Sequence, residues 1–262
     1  MSYTLKKIYN KIFRVSPKTP NECSVCGSTN VIFRPLPEKY FRAFDKAGFI
    51  HSIFLFETLN IFDYACSKCN APDRDRLYAL YFNEILSNEV KNFMFLDIAP
   101  VAHLSEFLLK RIPRKSYRTA DLLMEHVDDN VDIQNMSNYD DQSFDFVLCS
   151  HVLEHVENDI KALNELYRVL KPGGKSLLMA PINLGLEKSV EADLNKNYSE
   201  EERWKYFGQD DHLRLYSKND FISRIESAGF NLKQLDINYF GPEVFKTYGI
   251  NAKSVLYIAE KI

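Results

Sequence analysis

Phe144-Asp-Phe-Val-Leu-Cys-Ser-His-Val-Leu-Glu-His-Val156 opens on a short, mostly apolar run, enough for one buried strand, and turns polar at Ser150-His151. A helix is expected to start in the L-E-H-V segment. It continues with Ile160, Leu163, Tyr167 and Leu170 on one face. Lys171-Pro-Gly-Gly174 then breaks it and turns into a second strand, Lys175 to Met179. Strand, helix and strand in about 35 residues form a parallel crossover. The same alternation continues outward. Phe93 to Asp97, Ser116 to Asp121 and Val131 to Ile133 read as three earlier strands, with a helix from His103 to Lys110 ended by Pro113. Beyond an irregular stretch, 183–216, come a helix over 217–228 and strands at 231–237 and 254–260. This predicts an α/β fold, a doubly wound sheet of seven strands with helices on both faces.

The 262 residues allow one large domain or two modest ones. With 45% hydrophobic and 26% charged residues, wholesale disorder is excluded, and no run reaches the ~18 apolar residues of a membrane span. Charges scattered through residues 1–16 do not fit a signal peptide. The net charge of −3 argues against a mainly nucleic-acid-binding protein. Residues 1–88 carry 12 Lys+Arg against 8 Asp+Glu, a field too weak to hold phosphate tightly by itself. Residues 1–20 are expected to hold an amphipathic helix, with Leu5, Ile8, Tyr9, Ile12 and Phe13 in one stripe and Lys6, Lys7, Lys11 and Arg14 off it. Such a helix either docks on its own protein or, through residues 3–14, touches an anionic membrane surface.

Residues 21–88 read as a small β-rich module. Val31-Ile-Phe33 and Ile53-Phe-Leu-Phe56 are strand candidates, and Asp73 is a candidate helix cap. Two C-x-x-C turns, Cys23 with Cys26 and Cys66 with Cys69, offer four thiolates, the donor set of a structural Zn²⁺. Gly27 and Asn70 suit the left-handed residue that follows such a turn. A reducing cytoplasm is the expected compartment, where such pairs hold metal rather than disulfides. Cys149 stands alone within the fourth strand and is expected to be buried and inert.

In a doubly wound sheet, ligands sit at the carboxyl ends of the strands where strand order reverses. Asp97 and Asp121 fall at two such ends. An acid at the second strand end can accept both hydroxyls of a ribose, and Asp132 in the third strand can reach an adenine amino group. Phe93-Met-Phe-Leu-Asp-Ile-Ala-Pro100, Thr119-Ala-Asp121, Val131-Asp-Ile-Gln134, the 144–156 segment and Leu166-Tyr-Arg-Val-Leu-Lys-Pro-Gly-Gly-Lys175 together resemble the class I S-adenosylmethionine-dependent methyltransferases. The resemblance covers roughly residues 90–262, within a domain placed at 89–262. The cysteine module ahead of it resembles a bacterial subgroup with an N-terminal zinc-ribbon-like region. It implies a Rossmann-like methyltransferase sheet, S-adenosylmethionine as cofactor, and cofactor contacts from Asp97, Ala99, Asp121, Asp132, Ile133 and Ser150. One departure is large: Asp97-Ile-Ala-Pro-Val-Ala-His103 lacks the glycines of the family's first motif, and Ala99 is the smallest substitute.

The resemblance also implies methyl transfer, with a base for a hydroxyl or amine acceptor. The candidate catalytic residues are His151 beyond the fourth strand, and His212 with Asp211 as its orienting carboxylate. His155 is read as structural, Glu154 as a helix cap or orienting group, and Arg214 as a substrate contact. The expected acceptor is a small molecule or a glycan-type compound methylated on oxygen or nitrogen. Two other readings stand beside it: an RNA- or protein-modifying enzyme docked through the zinc module, and a cofactor-binding scaffold without turnover.

Overall fold

The computed structural model describes residues 21–86 and 93–262. The helix expected within residues 1–20, with its membrane-contact alternative, lies outside the described residues. The cysteine segment holds two short antiparallel pairs, Asn21–Glu22 with Thr29–Val31 and Phe33–Arg34 with Ala65–Cys66. Ile53–Leu55 is a single 3₁₀ turn, not a strand. Among the described residues, the longest element before residue 70 is a helix, α1 (Glu38–Ala47), which the sequence reading did not anticipate. Its signals were present: Pro37 at the entry, and Gly48 at the exit with φ of 64°. Helix α2 (Asp73–Ile85) follows. Asp73 does not cap it: Pro72 holds that position, and the buried Asp73 carboxylate accepts the Asn60 backbone N–H.

Seven strands form the main sheet. They are β1 (Phe95–Ile98), β2 (Tyr117–Asp121), β3 (Asp129–Asn130), β4 (Phe144–Ser150), β5 (Leu170–Met179), β6 (Phe230–Leu235) and β7 (Leu256–Lys261). Their spatial order is β6-β7-β5-β4-β1-β2-β3. β7 runs antiparallel to both neighbours, and the other pairs are parallel. The connections carry α3 (Ala102–Leu109), α4 (Asp159–Val169), α5 (Glu200–Phe207) and α6 (Lys218–Ser227). This is the Rossmann-like doubly wound sheet that the alternation predicts. Strand order reverses between β1 and β4, so the ligand crevice opens at their carboxyl ends.

Three local expectations are corrected. β3 lies two residues earlier than Val131–Ile133, which puts Asp132 just beyond its carboxyl end. β5 begins at Leu170 instead of Lys175, because the Lys-Pro-Gly-Gly segment is absorbed as an irregularity: Phe144 pairs with Leu170, but Phe146 pairs with Lys175. A Cβ on Gly174 would come within 2.8 Å of the Lys171 carbonyl oxygen, so the tight backbone there requires glycine. Finally, 151–157 is an irregular turn. The helix starts only at Asp159, where the Asn158 side chain caps the Lys161 N–H at 2.9 Å.

The core is continuous from the cysteine segment to the sheet. Phe82 of α2 packs edge-on against Phe95 and Phe146, which stack on each other at 5.2 Å. Arg76, fully buried, lies 3.9 Å over the Phe33 ring. Its guanidinium donates to the carbonyls of Asp63, Tyr64, Ala71, Tyr248 and Gly249. Residues 55–57 run along 182–184: Glu57 N–H donates to the Ile182 carbonyl at 2.9 Å, and Leu184 N–H to the Leu55 carbonyl at 2.8 Å. Phe44 of α1 meets Trp204 of α5 edge-on at 5.3 Å. The segment between the cysteine pairs therefore folds over the loops that follow β4 and β5. No helix among the described residues is long and apolar enough to cross a membrane.

Candidate active site

Three acids stand at or just beyond the ends of β1, β2 and β3. Asp97 is buried and accepts the Tyr117 hydroxyl, whose oxygen also lies 2.9 Å from the Ser105 hydroxyl. Burial pushes its carboxyl up to about 7, against the opposing pull of the Tyr117 hydroxyl. Two residues on, Ala99 takes φ of 54° and donates its N–H to the Ala120 carbonyl at 2.9 Å. The loop thus keeps the left-handed geometry that glycine would supply, at a cost of ~1–2 kcal/mol for an L-residue. Asp121 closes β2. One of its oxygens accepts the N–H groups of Leu123 and Met124, at 2.7 and 2.8 Å, and this turn does not use the other. Leu122, Leu123 and Met124 beside it are exposed apolar side chains. Asp132 accepts the Gln134 N–H at 2.8 Å, Ile133 is buried, and the Ser150 hydroxyl meets that of Tyr78 at 2.9 Å.

The raised Asp97 carboxyl ties stability to pH. Folding holds a proton on this group at pH values where the unfolded chain has lost it. Its favourable contribution is therefore full below the ordinary value near 3.8 and is lost as pH rises through about 7. Asp97→Asn keeps an acceptor for Tyr117 without ionising. Near pH 8 it is expected to be more stable than the wild type by as much as ~4 kcal/mol, a gap that narrows toward pH ~5. Thermal melts across that range check the sign.

A second cluster lies after β4. His151, with φ of 57°, is held by its N–H to the Met179 carbonyl at 2.8 Å. Positive φ is uncommon outside glycine, and such strain concentrates at functional sites. Its Nδ1 is 3.1 Å from Oε1 of Glu154, whose side chain is fully buried. His155 Nε2 and His212 Nε2 lie 3.9 and 4.0 Å from the same oxygen. Burial opposes charge on Glu154, but the hydrogen bond from His151 and the facing imidazoles outweigh it and hold the carboxyl at about 2. Burial pushes His151 and His212 down, with the Arg74 charge adding to the effect on His151.

His151, Glu154, His155 and His212 line a cavity of about 320 Å³. Residues from 36–64, including Tyr40, Phe56 and Tyr64, also line it, as does Arg74. Nothing in local spacing announces that lining; only the fold brings it together. The structure joins His151 to His212 through Glu154, but it does not pair Asp211 with His212. Asp211 is 62% exposed and sits 3.3 Å from His155 Nδ1. Adjacent residues in this turn point apart: His212 turns Nε2 toward Glu154 while its Nδ1 lies 3.3 Å from the Phe207 carbonyl, and His155 belongs to the cluster. Arg214 is not a substrate contact: it is buried and donates to the carbonyls of Leu153, Val156 and Glu157, pinning the 151–157 turn.

The sulfur atoms of Cys23, Cys26, Cys66 and Cys69 all lie within 4.8 Å of one another, and Cys23 and Cys69 are 3.6 Å apart. Tetrahedral Zn–S bonds of ~2.3 Å put sulfurs ~3.8 Å apart, so the group fits zinc. Gly27 and Asn70 follow the two turns at φ of 70° and 64°, each donating its N–H back to the first cysteine's carbonyl. Cys149 is buried in β4.

Residues 84–178, from the end of α2 to the end of β5, match the methyltransferase domain family. An uncharacterized protein of Methanocaldococcus jannaschii is 34% identical over 108 residues, 41% of this chain and 40% of its own length. A thiol S-methyltransferase of Rattus norvegicus is 36% identical over 103 residues, 39% of each chain. The YcgJ protein of Bacillus subtilis is a solved structure with 15% identity and a TM-score of 0.43, covering 69% of this chain and 97% of its own. The chain thus spans about 40% of the length of the curated relatives it matches.

Proposed function

We propose that this chain transfers a methyl group from S-adenosylmethionine to an oxygen or nitrogen of a small-molecule or glycan-type acceptor. The observation that carries this reading is the His151–Glu154 pair after β4, lining a cavity, with Asp97 and Asp121 at the ends of the neighbouring strands. The cofactor supplies a methyl carbon on a positively charged sulfur, which leaves as a neutral thioether when an acceptor takes the carbon. The other oxygen of Asp121 receives ribose hydroxyls, Leu123 and Met124 offer apolar cover for the base, and Asp132 follows the end of β3, the strand beside β2. Asp97, Ala99, Ile133 and Ser150 complete that side. With Nδ1–H turned to Glu154, His151 keeps the Nε2 lone pair for the acceptor's proton.

The size of the cavity, about 320 Å³ with residues from 36–64 in its lining, favours a small acceptor over a macromolecule. A structural zinc on the four cysteines would close the loop that carries this lining, since 36–64 lies between the two pairs. Reduced thiols fit a cytoplasmic setting. The test is transfer of labelled methyl from the cofactor to extracts of glycans, lipids, RNA and protein. Label in a small-molecule or glycan fraction, absent with Asp121→Ala, supports the reading; label confined to RNA or protein contradicts it.

A further inference from the structure

Three imidazoles converge on one carboxylate, more than the orientation of a single base requires. Glu154 Oε1 holds His151, and Glu154 Oε2 is buried with no hydrogen-bond partner among the described residues. The other two rings are each held from behind. His155 Nδ1 lies 3.3 Å from an Asp211 carboxylate oxygen, and His212 Nδ1 lies 3.3 Å from the Phe207 carbonyl. In both rings Nε2 is thereby left on the Glu154 side. Those two nitrogens and the carboxylate lie within 4.8 Å of one another.

We propose that Glu154, His155 and His212 bind a divalent first-row cation in the wall of the cavity. A tetrahedral ion with bonds of ~2.0–2.2 Å needs ligand atoms ~3.3–3.5 Å apart, so the 3.9 and 4.0 Å separations close with shifts of roughly half an ångström. Asp211 and the Phe207 carbonyl are positioning partners of the kind that fix the tautomer of a metal-bound imidazole. Two imidazoles with one carboxylate suit Zn²⁺, Fe²⁺ or Co²⁺ better than Mg²⁺ or Ca²⁺. Three protein ligands would leave room for a fourth. Here the inference rests on the methyl-transfer reading: an ion held there would make an acceptor's hydroxyl proton more acidic, with His151 Nε2 as the base that receives it, and this would favour hydroxyl-bearing acceptors.

The full chain, loaded with one equivalent of zinc for its cysteines, is titrated with Co²⁺ alone, without cofactor or acceptor. One Co²⁺ per chain is expected, giving visible d–d bands without sulfur-to-cobalt charge transfer. His212→Ala should abolish these bands, and Asp211→Ala should weaken Co²⁺ affinity ~10–100-fold. Absent bands, bands with sulfur charge transfer, or unchanged affinity in Asp211→Ala overturn the proposal. Asp211 is exposed, so that variant decides the matter even where His212→Ala fails to fold. A failed cobalt titration leaves methyl transfer standing, and a failed methyl transfer leaves the cobalt result standing.

Discussion

His151→Asn is expected to lower kcat by about 10²–10⁴ while S-adenosylmethionine binds as in the wild type. The reasoning starts from the backbone. His151 sits at φ of 57°, a conformation asparagine tolerates, so the turn after β4 keeps its shape. The Asn amide can still donate to Glu154, so the buried carboxylate keeps a partner. What is lost is the imidazole Nε2 and with it the acceptor for the substrate's proton. The effect should fall on kcat rather than KM, because the ring's proton transfer matters in the transition state and not in binding. Steady-state kinetics on the acceptor found by label transfer separate the two. An unchanged kcat would remove His151 from the chemistry.

Arg76→Met is expected to cost ~3–5 kcal/mol and to lower the melting temperature sharply. The methionine fills part of the volume but donates nothing. Five carbonyls, on Asp63, Tyr64, Ala71, Tyr248 and Gly249, then lose their partner inside the protein. These carbonyls join the cysteine segment to the loop ahead of β7, so the variant should also loosen the wall of the cavity. Denaturant melts measure the loss; a change under ~1 kcal/mol would mean that water or other donors replace the guanidinium.

The sheet was legible because its signal is periodic: apolar runs such as 144–149 alternate with helical stripes such as Leu163 and Leu166 on α4. The strand-end acids followed from topology, whereas Ala99 was read only as the smallest substitute for glycine, and its left-handed geometry came from the structure. The clustering of the four cysteines followed from two short turns with Gly27 and Asn70 behind them. The cavity was not legible in the same way. Its walls come from 36–64 and 151–212, segments joined only by the fold. Chain adjacency misled at Asp211 and His212, one exposed and one buried, whose partners are His155 and Glu154. Arg214 looked like a ligand contact because charge in a loop suggests solvent, yet its guanidinium ties down a buried turn. Helix α1 was passed over although Pro37 and Gly48 bracket it, because the aromatic residues around it suggested strands.

Calorimetric titration of S-adenosylmethionine into the wild-type chain and into Asp121→Ala is the most direct test. Asp121 closes β2 at the switch edge, with one carboxylate oxygen outside its own turn, so the substitution removes the ribose contact without touching the core. The account predicts saturable one-to-one binding in the wild type and its loss in a variant that melts normally. No binding by the wild type, or equal binding by both, would contradict it.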